Sequence, residues 1–224
     1  MLNFVTTADG SKTIFNSEVG ENYHSKHGAL QESLHVFVGA GLTYFLDRSN
    51  AKELSILEVG FGTGLNFLLS ADHCTEKQIQ LDYTGIEAYP LSSEMIGQTG
   101  YDQYLSQGIW TDFLTNYVSA LNGPIELNSF CRLQIDCRKL LDFESTQRFD
   151  VIYFDAFAAA YQPEMWGQAA IGPIIALLKP GGIFVTYAIT GDLKRLLKGL
   201  GLEVQKVRGA PGKREMLRAV RPIF

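Results

Sequence analysis

The segment Glu58-Val-Gly60-Phe61-Gly62-Thr-Gly64-Leu-Asn66 gathers the residue types that ligand chemistry needs. A strand-like run, Leu54-Ser-Ile-Leu, feeds three alternating glycines, and a helical pattern opens at Leu65. Glycines let a backbone turn tightly and approach a ligand with no Cβ between, and a helix N-terminus offers unpaired N–H groups. Alone, such a turn is only a strand-to-helix connection, but its spacing narrows the reading. The dinucleotide fingerprint is G-x-G-x-x-G with an acid about 20 residues on. Here the third glycine comes one residue early and an acid stands directly before the loop. That carboxylate repels a pyrophosphate and attracts the sulfonium and amino group of S-adenosylmethionine. Glu58 therefore favours the methyl donor over NAD; its structural alternative is a cap on the nearby helix.

Three further carboxylates suit the same ligand. Glu87 ends the run Tyr83-Thr-Gly-Ile-Glu87, and an acid at the C-terminal edge of a second strand is placed to accept both ribose hydroxyls. Asp136 ends Leu133-Gln-Ile-Asp136, where its side chain or the N–H of Cys137 is placed to read the adenine amino edge. Asp155 emerges from Phe149-Asp-Val-Ile-Tyr-Phe, a run too apolar to leave a carboxylate buried and unpaired. Each acid also has an ordinary reading as a strand-end or turn residue. In series with the glycine loop they favour a site beyond the carboxyl ends of parallel strands.

Five short apolar runs would carry these residues: Leu54–Val59, Leu81–Glu87, Phe130–Ile135, Phe149–Phe154 and Gly182–Tyr187. Helical patterns fall between them at Leu65–Cys74, Asp112–Leu121, Pro163–Leu178 and Asp192–Leu200, the alternation of a mainly parallel sheet covered on both faces. Asn122-Gly-Pro and Lys179-Pro-Gly-Gly read as stops. Leu202–Val207 and Glu215–Val220 have no helix between them and should pair antiparallel. A parallel sheet finished by such a hairpin is the Rossmann-like α/β pattern of class I methyltransferases. Upstream, turn signals at Asp9-Gly10 and Val19-Gly20 suggest a hairpin-like start, and Leu30, Leu34, Phe37, Val38, Gly41, Leu42 and Phe45 form one amphipathic stripe. The division expected is an N-terminal extension, residues 1–50, packed on a methyltransferase domain, residues 51–224, as one globular unit.

The chain's 224 residues, 46% apolar and 19% charged, suit one well-buried domain and exclude disorder as its main theme. No apolar run is long enough to span a bilayer, the start lacks a signal-peptide layout, and three cysteines without paired spacing argue against a disulfide framework. These features predict a cytoplasmic protein. Four scattered histidines argue against a metal site. The net charge of −5 conceals an asymmetry: residues 193–224 carry nine Lys or Arg against two acids, so the rest carries −12. A basic end on an acidic body can meet a polyanion at one face, or can simply line a solvated helix.

The chain resembles the methyltransferase part of the MnmC (stand-alone form, MnmD) family, which completes 5-methylaminomethyl-2-thiouridine in tRNA. The resemblance lies in Tyr23-His-Ser-Lys-His-Gly-Ala-Leu-Gln-Glu-Ser-Leu-His-Val-Phe37, Glu58 to Phe67, Phe154-Asp-Ala-Phe157 with Pro163-Glu-Met-Trp166, and Gly209-Ala-Pro-Gly-Lys-Arg-Glu-Met216. It runs from about residue 20 to 220. No second Gly-rich nucleotide loop accompanies it, which points to the form without an FAD-dependent oxidase. The resemblance implies one methyl transferred from S-adenosylmethionine to the aminomethyl group of a wobble uridine, with a separate oxidoreductase or other enzyme supplying that amine. It places Glu58, Gly60, Phe61, Gly62, Gly64, Asn66, Glu87, Asp136 and Cys137 around the donor and Asp155 at the reacting amine. Ala158-Ala159-Ala160 departs from the family pattern after Asp-x-Phe, which leaves the base contacts of that loop less defined.

A primary amine is largely protonated at neutral pH, and an ammonium has no lone pair for attack. Asp155 is expected to accept a hydrogen bond from the amine, orient it and take up or relay its proton. Phe157 and Tyr161 would stack on the uridine, or pack as ordinary lid residues. Tyr23, His24 and His27 would line the entrance, and Lys213 and Arg214 would meet the anticodon stem-loop of tRNA through phosphates. Three rival readings are a small-amine methyltransferase, an idle donor- or RNA-binding module, and an NAD-dependent dehydrogenase disfavoured by the loop spacing.

Overall fold

The protein is described by a computed structural model covering residues 1–106 and 108–223. Its first strands, β1 (Leu2–Thr6), β2 (Lys12–Asn16) and β3 (Glu21–Asn22), form a small antiparallel sheet of their own. The Asp9-Gly10 turn joins β1 to β2, and the Val19-Gly20 turn joins β2 to β3. A helical rod then runs over residues 29–49: α1 (Ala29–Glu32), a π-wound stretch (Ser33–Thr43) and α2 (Tyr44–Ser49). In the π stretch the backbone N–H bonds reach five residues back, as from Tyr44 to Gly39. Within the expected stripe Phe37, Val38, Gly41 and Leu42 are buried, and the wider turn adds further residues to the covered face. Leu34 is 45% exposed, whereas Glu32, Ser33, Val36 and Ala40 are buried.

The remaining elements alternate: β4 (Glu53–Val59), α3 (Leu65–Glu76), β5 (Gln80–Ile86), α4 (Ser93–Gly97), α5 (Ile109–Ala120), β6 (Ile125–Asn128), β7 (Cys131–Asp136), β8 (Phe149–Phe154), α6 (Gln168–Ala176), β9 (Leu178–Thr186), α7 (Gly191–Gly199), β10 (Glu203–Arg208) and β11 (Glu215–Val220). The eight strands from β4 onward make one sheet in the order β10-β11-β9-β8-β4-β5-β7-β6. Strands β7, β5, β4, β8 and β9 run parallel, and β11 lies antiparallel between β9 and β10, the C-terminal hairpin the sequence predicts. Successive residues of each strand face opposite cores. Ile56, Tyr83, Val151 and Tyr153 join the side covered by the rod, α3 and α5; Leu57, Val59, Ile152 and Phe154 join the side of α6 and α7.

Some boundaries differ from the sequence reading for local reasons. The helix expected over Pro163–Leu178 breaks at Gly167 into a 3₁₀ turn (Pro163–Trp166) and α6. Lys179-Pro-Gly-Gly lies inside β9 as an irregularity in its register with β8, with Gly181 at φ +78°. Strand β6 and helix α4 are additions, too short for periodicity to reveal. No helix among the described residues is long and apolar enough to cross a membrane.

Candidate active site

Strand β4 leads to β5 on one side and pairs with β8 on the other, so the chain's path reverses across the sheet at β4. The ends of these three strands therefore leave a crevice where helices depart to opposite faces. Gly60, Phe61 and Gly62 follow β4, Glu87 follows β5, and Asp155 follows β8. A cavity of about 740 Å³ occupies this position, and Gly60, Phe61, Gly62, Asn66, Glu87 and Asp155 line it. Gly60 sits at φ +86°, where a Cβ would strike the carbonyl oxygen of Asp155, so only glycine lets the β4 and β8 ends approach this closely. Gly64, at φ +78°, caps α3 and packs against Phe61 and Phe113, so its role is the turn itself.

Glu58 departs from the expected position. Its side chain is fully buried and does not line the cavity. One carboxylate oxygen accepts from Asn66 Nδ2 at 2.8 Å and the other from the Tyr83 hydroxyl at 2.8 Å. The same Asn66 nitrogen donates to Asp155 Oδ2, also at 2.8 Å. Asn66 thus joins the carboxylate beneath the loop to the carboxylate in the cavity. Burial, with Asp155 nearby, pushes the Glu58 carboxyl well above its usual range. Burial likewise raises Asp155 to about 8, with Glu32 adding to the rise and the bond from Asn66 opposing it.

Glu87 follows β5 and lines the cavity. Its oxygens accept from the backbone N–H groups of Gly62 at 2.9 Å and Tyr89 at 3.0 Å, which hold the carboxylate against the loop. Burial raises its pKa and these two bonds counteract that. Asp136 and Cys137 do not line the cavity. The Asp136 carboxylate pairs in a fork with Arg138, with Nε at 2.6 Å. Cys137 is exposed; Arg138, Lys139, Leu140 and Leu141 line the cavity at this strand end instead.

A second cavity, of about 350 Å³, adjoins the first. Tyr23, His24, Ala156 and Phe157 line both, so the boundary is built largely from the Tyr23–Phe157 edge-to-face pair, with centroids 5.2 Å apart. His24 is held neutral there, burial lowering it to about 4. Tyr161, half exposed, and Tyr187 wall the second chamber, together with Glu21, Glu32 and Lys213. Lys213 was expected on a phosphate-facing surface. Instead its ammonium bonds Glu32 Oε2 at 2.8 Å and lies 3.8 Å from the centre of the Tyr187 ring. Arg214 is exposed beside it. His27 lines neither chamber and rests against Gly212 at the rim.

Glu21, Glu32 and Tyr187 were not anticipated. The sequence held a signal for one of them: Glu32 shares its helix face with Ala29, Val36 and Ala40, an acid on the apolar side. Glu21 accepts from the Ala158 N–H at 2.8 Å, fixing the loop after Asp155.

The larger cavity suits a cationic amino-acid ligand. Glu87 and Asp155 line it as acids, the glycines keep its floor clear of side chains, and Asn66 Oδ1 is buried with no hydrogen-bond partner among the described residues. Comparison with known proteins agrees with this geometry. The profile of a family described as S-adenosyl-L-methionine-dependent methyltransferase matches residues 104–222, more than half of the chain. The bifunctional protein MnmC of tRNA 5-methylaminomethyl-2-thiouridine biosynthesis from Actinobacillus pleuropneumoniae (serotype 5b, strain L20) is 30% identical over 99% of this chain and 36% of its own length. The chain spans about a third of the length of the curated relatives it matches. Among solved structures, MnmC2 from Aquifex aeolicus matches with a TM-score of 0.77 and 25% identity over 100% of this chain and 70% of that one. The sugar N-methyltransferase KedS8 from Streptoalloteichus shares the fold at a TM-score of 0.52 and 14% identity, over 86% of this chain and 87% of that one. S-adenosylmethionine is the cofactor of this family, and the chain belongs to the S-adenosyl-L-methionine-dependent methyltransferases.

Proposed function

We propose that this enzyme transfers one methyl group to the exocyclic amine of 5-aminomethyluridine, or its 2-thio form, at the wobble position of tRNA. The observation that carries the reading is the pair of adjoining chambers with Asp155 lining the donor chamber beside their shared wall. The printed name of the Actinobacillus relative, which places that protein in 5-methylaminomethyl-2-thiouridine biosynthesis, supports this acceptor.

Bound S-adenosylmethionine supplies an electrophilic methyl on a sulfonium. The chain's residues supply the rest. Glu58 and Asn66 fix Asp155, whose carboxylate accepts a hydrogen bond from the amine and holds its lone pair toward the methyl. The nitrogen–carbon bond forms as the carbon–sulfur bond breaks, and the surplus proton of the product ammonium passes to Asp155 or to water. Phe157 and Tyr161 present ring faces or edges to a base entering the second chamber. Exposed arginines of the C-terminal region, Arg214 among them, meet the anticodon stem-loop, and a separate oxidoreductase or other enzyme furnishes the aminomethyl group. The test is incubation with labelled methyl donor and tRNA lacking this last methyl, followed by nucleoside analysis. Label in 5-methylaminomethyl nucleoside is expected. Label appearing only in small amines from a metabolite panel, which a chamber of about 350 Å³ also admits, would overturn the reading.

A further inference from the structure

The second chamber holds a cation that the methyl transfer just described does not use. Lys213 arrives on the loop between β10 and β11 and reaches across to Glu32 on the helical rod. Glu32 is 5% exposed, and the lysine side chain about a third exposed. Ion pairs in such places are expensive to desolvate and are weak evidence of a purely stabilising role. An ammonium has three N–H donors. One serves Glu32, the charge rests on the Tyr187 face, and donor capacity remains toward the cavity that Lys213 lines. The Tyr187 hydroxyl in turn donates to the carbonyl of Ala156 at 2.9 Å, the residue next to Asp155. Lys213 is therefore fixed relative to the reacting end of the chamber, not left as a mobile surface charge.

We propose that Lys213 is a specificity-determining residue: its ammonium donates to the ring carbonyl beside the aminomethyl group of the acceptor, so that the chamber selects a 4-oxo pyrimidine. The inference rests on the acceptor assigned above. In a 5-aminomethyluracil the amine-bearing carbon and the 4-carbonyl are neighbours on one edge of the ring. That edge offers an N–H donor and an oxygen acceptor side by side; an acceptor spanning the shared wall would meet the Asp155 carboxylate on the donor-chamber side and the Lys213 ammonium in the second chamber. Glu32 and Tyr187 position the ammonium, and Glu32 neutralises much of the charge that a phosphate contact would need.

The test uses two stem-loop RNAs, one with 5-aminomethyluridine and one with an analogue whose 4-oxo group is replaced by hydrogen, against wild type and Lys213→Met. Wild type should lose about ten- to a hundredfold in kcat/KM when the carbonyl is removed, the effect of one charge-assisted hydrogen bond. Lys213→Met should be slow on the first RNA and show no further loss on the second, because carbonyl and ammonium act as a pair. The salt dependence of binding should be the same in both proteins. Equal fractional loss from the carbonyl in wild type and variant would leave Lys213 a structural tie and overturn the proposal. So would a fall of about 0.7–0.9 in the salt slope, the signature of one lost phosphate contact. If Lys213→Met strands Glu32 and fails to fold, Glu32→Gln/Lys213→Met removes both charges, and wild type on the two RNAs still decides: indifference to the carbonyl overturns the proposal. Wild type that methylates neither RNA overturns the acceptor assignment itself, a separate result.

Discussion

Asp155 is poised between two protonation states, and its partners decide which prevails. Burial holds it at about 8, so it is largely protonated in the donor-free enzyme at neutral pH. A cation in the adjoining cavity favours the ionised form, which can accept from an amine. Donor affinity should therefore rise as pH climbs toward about 8, with proton release at pH 7. Calorimetry in buffers of different ionisation enthalpy reads this directly. The sign for stability is opposite. A carboxyl with a raised folded pKa binds more protons folded than unfolded, so the donor-free protein should lose stability as pH rises from about 4 toward 8. Asp155→Asn should flatten that decline. The same substitution should lower kcat by about 10²- to 10⁴-fold while the protein stays folded, as single-turnover kinetics would show. A normal rate would remove Asp155 from the chemistry. Sequence pattern revealed Asp155 because an acid ending an apolar strand is conspicuous. It misplaced Glu58, because an acid before a glycine loop reads the same whether it touches the ligand or lies beneath Asn66, and Tyr83, 25 residues on, carries no mark of being its partner.

The strand ends set the site because β4, β5 and β8 stop at the same level, and Gly60 is where that arrangement is tightest. Gly60→Ala combines a Cβ collision with the Asp155 carbonyl and a left-handed backbone. It should cost about 2–5 kcal/mol of stability and abolish donor binding, measurable by urea unfolding and titration calorimetry. An unchanged midpoint would mean the β4 and β8 ends can part without loss. The parallel strands β4, β5, β8 and β9 were legible because strands buried on both faces are continuous apolar runs. Elements of four or five residues, β6 and α4, were not, since neither completes enough periods to stand out. The rod over residues 29–49 was recognised as a helix and most of its expected face is covered, with Leu34 the exception, since a 3.6-residue period was assumed where the π winding runs wider.

Charge is shared out across the whole molecule less simply than the +7 of residues 193–224 implies. Several of those bases are committed internally. Lys213 pairs with Glu32, Arg195 with Asp192 and Lys206 with Glu215, and Arg221 donates to the carbonyls of Ile175 and Leu178. Arg218 stacks on Tyr44 and bonds Gln205. Arg208 and Arg214, at the loop end of the C-terminal hairpin, remain exposed. Reversing both charges should weaken tRNA binding and reduce the slope of log K against log salt by about 0.9 per lost phosphate contact. Donor affinity should be unchanged. An unaltered slope would place the RNA on another face.

The π winding of residues 33–43 also sets an angular phase. Each residue of an α-helix advances about 100° around the axis. Deleting one residue from this stretch and letting it relax to ordinary winding would swing α1 around the axis relative to α2, carrying Glu32 away from Lys213. A frame-preserving deletion there would thus erase an ion pair that lies 181 positions apart in sequence, without touching either partner.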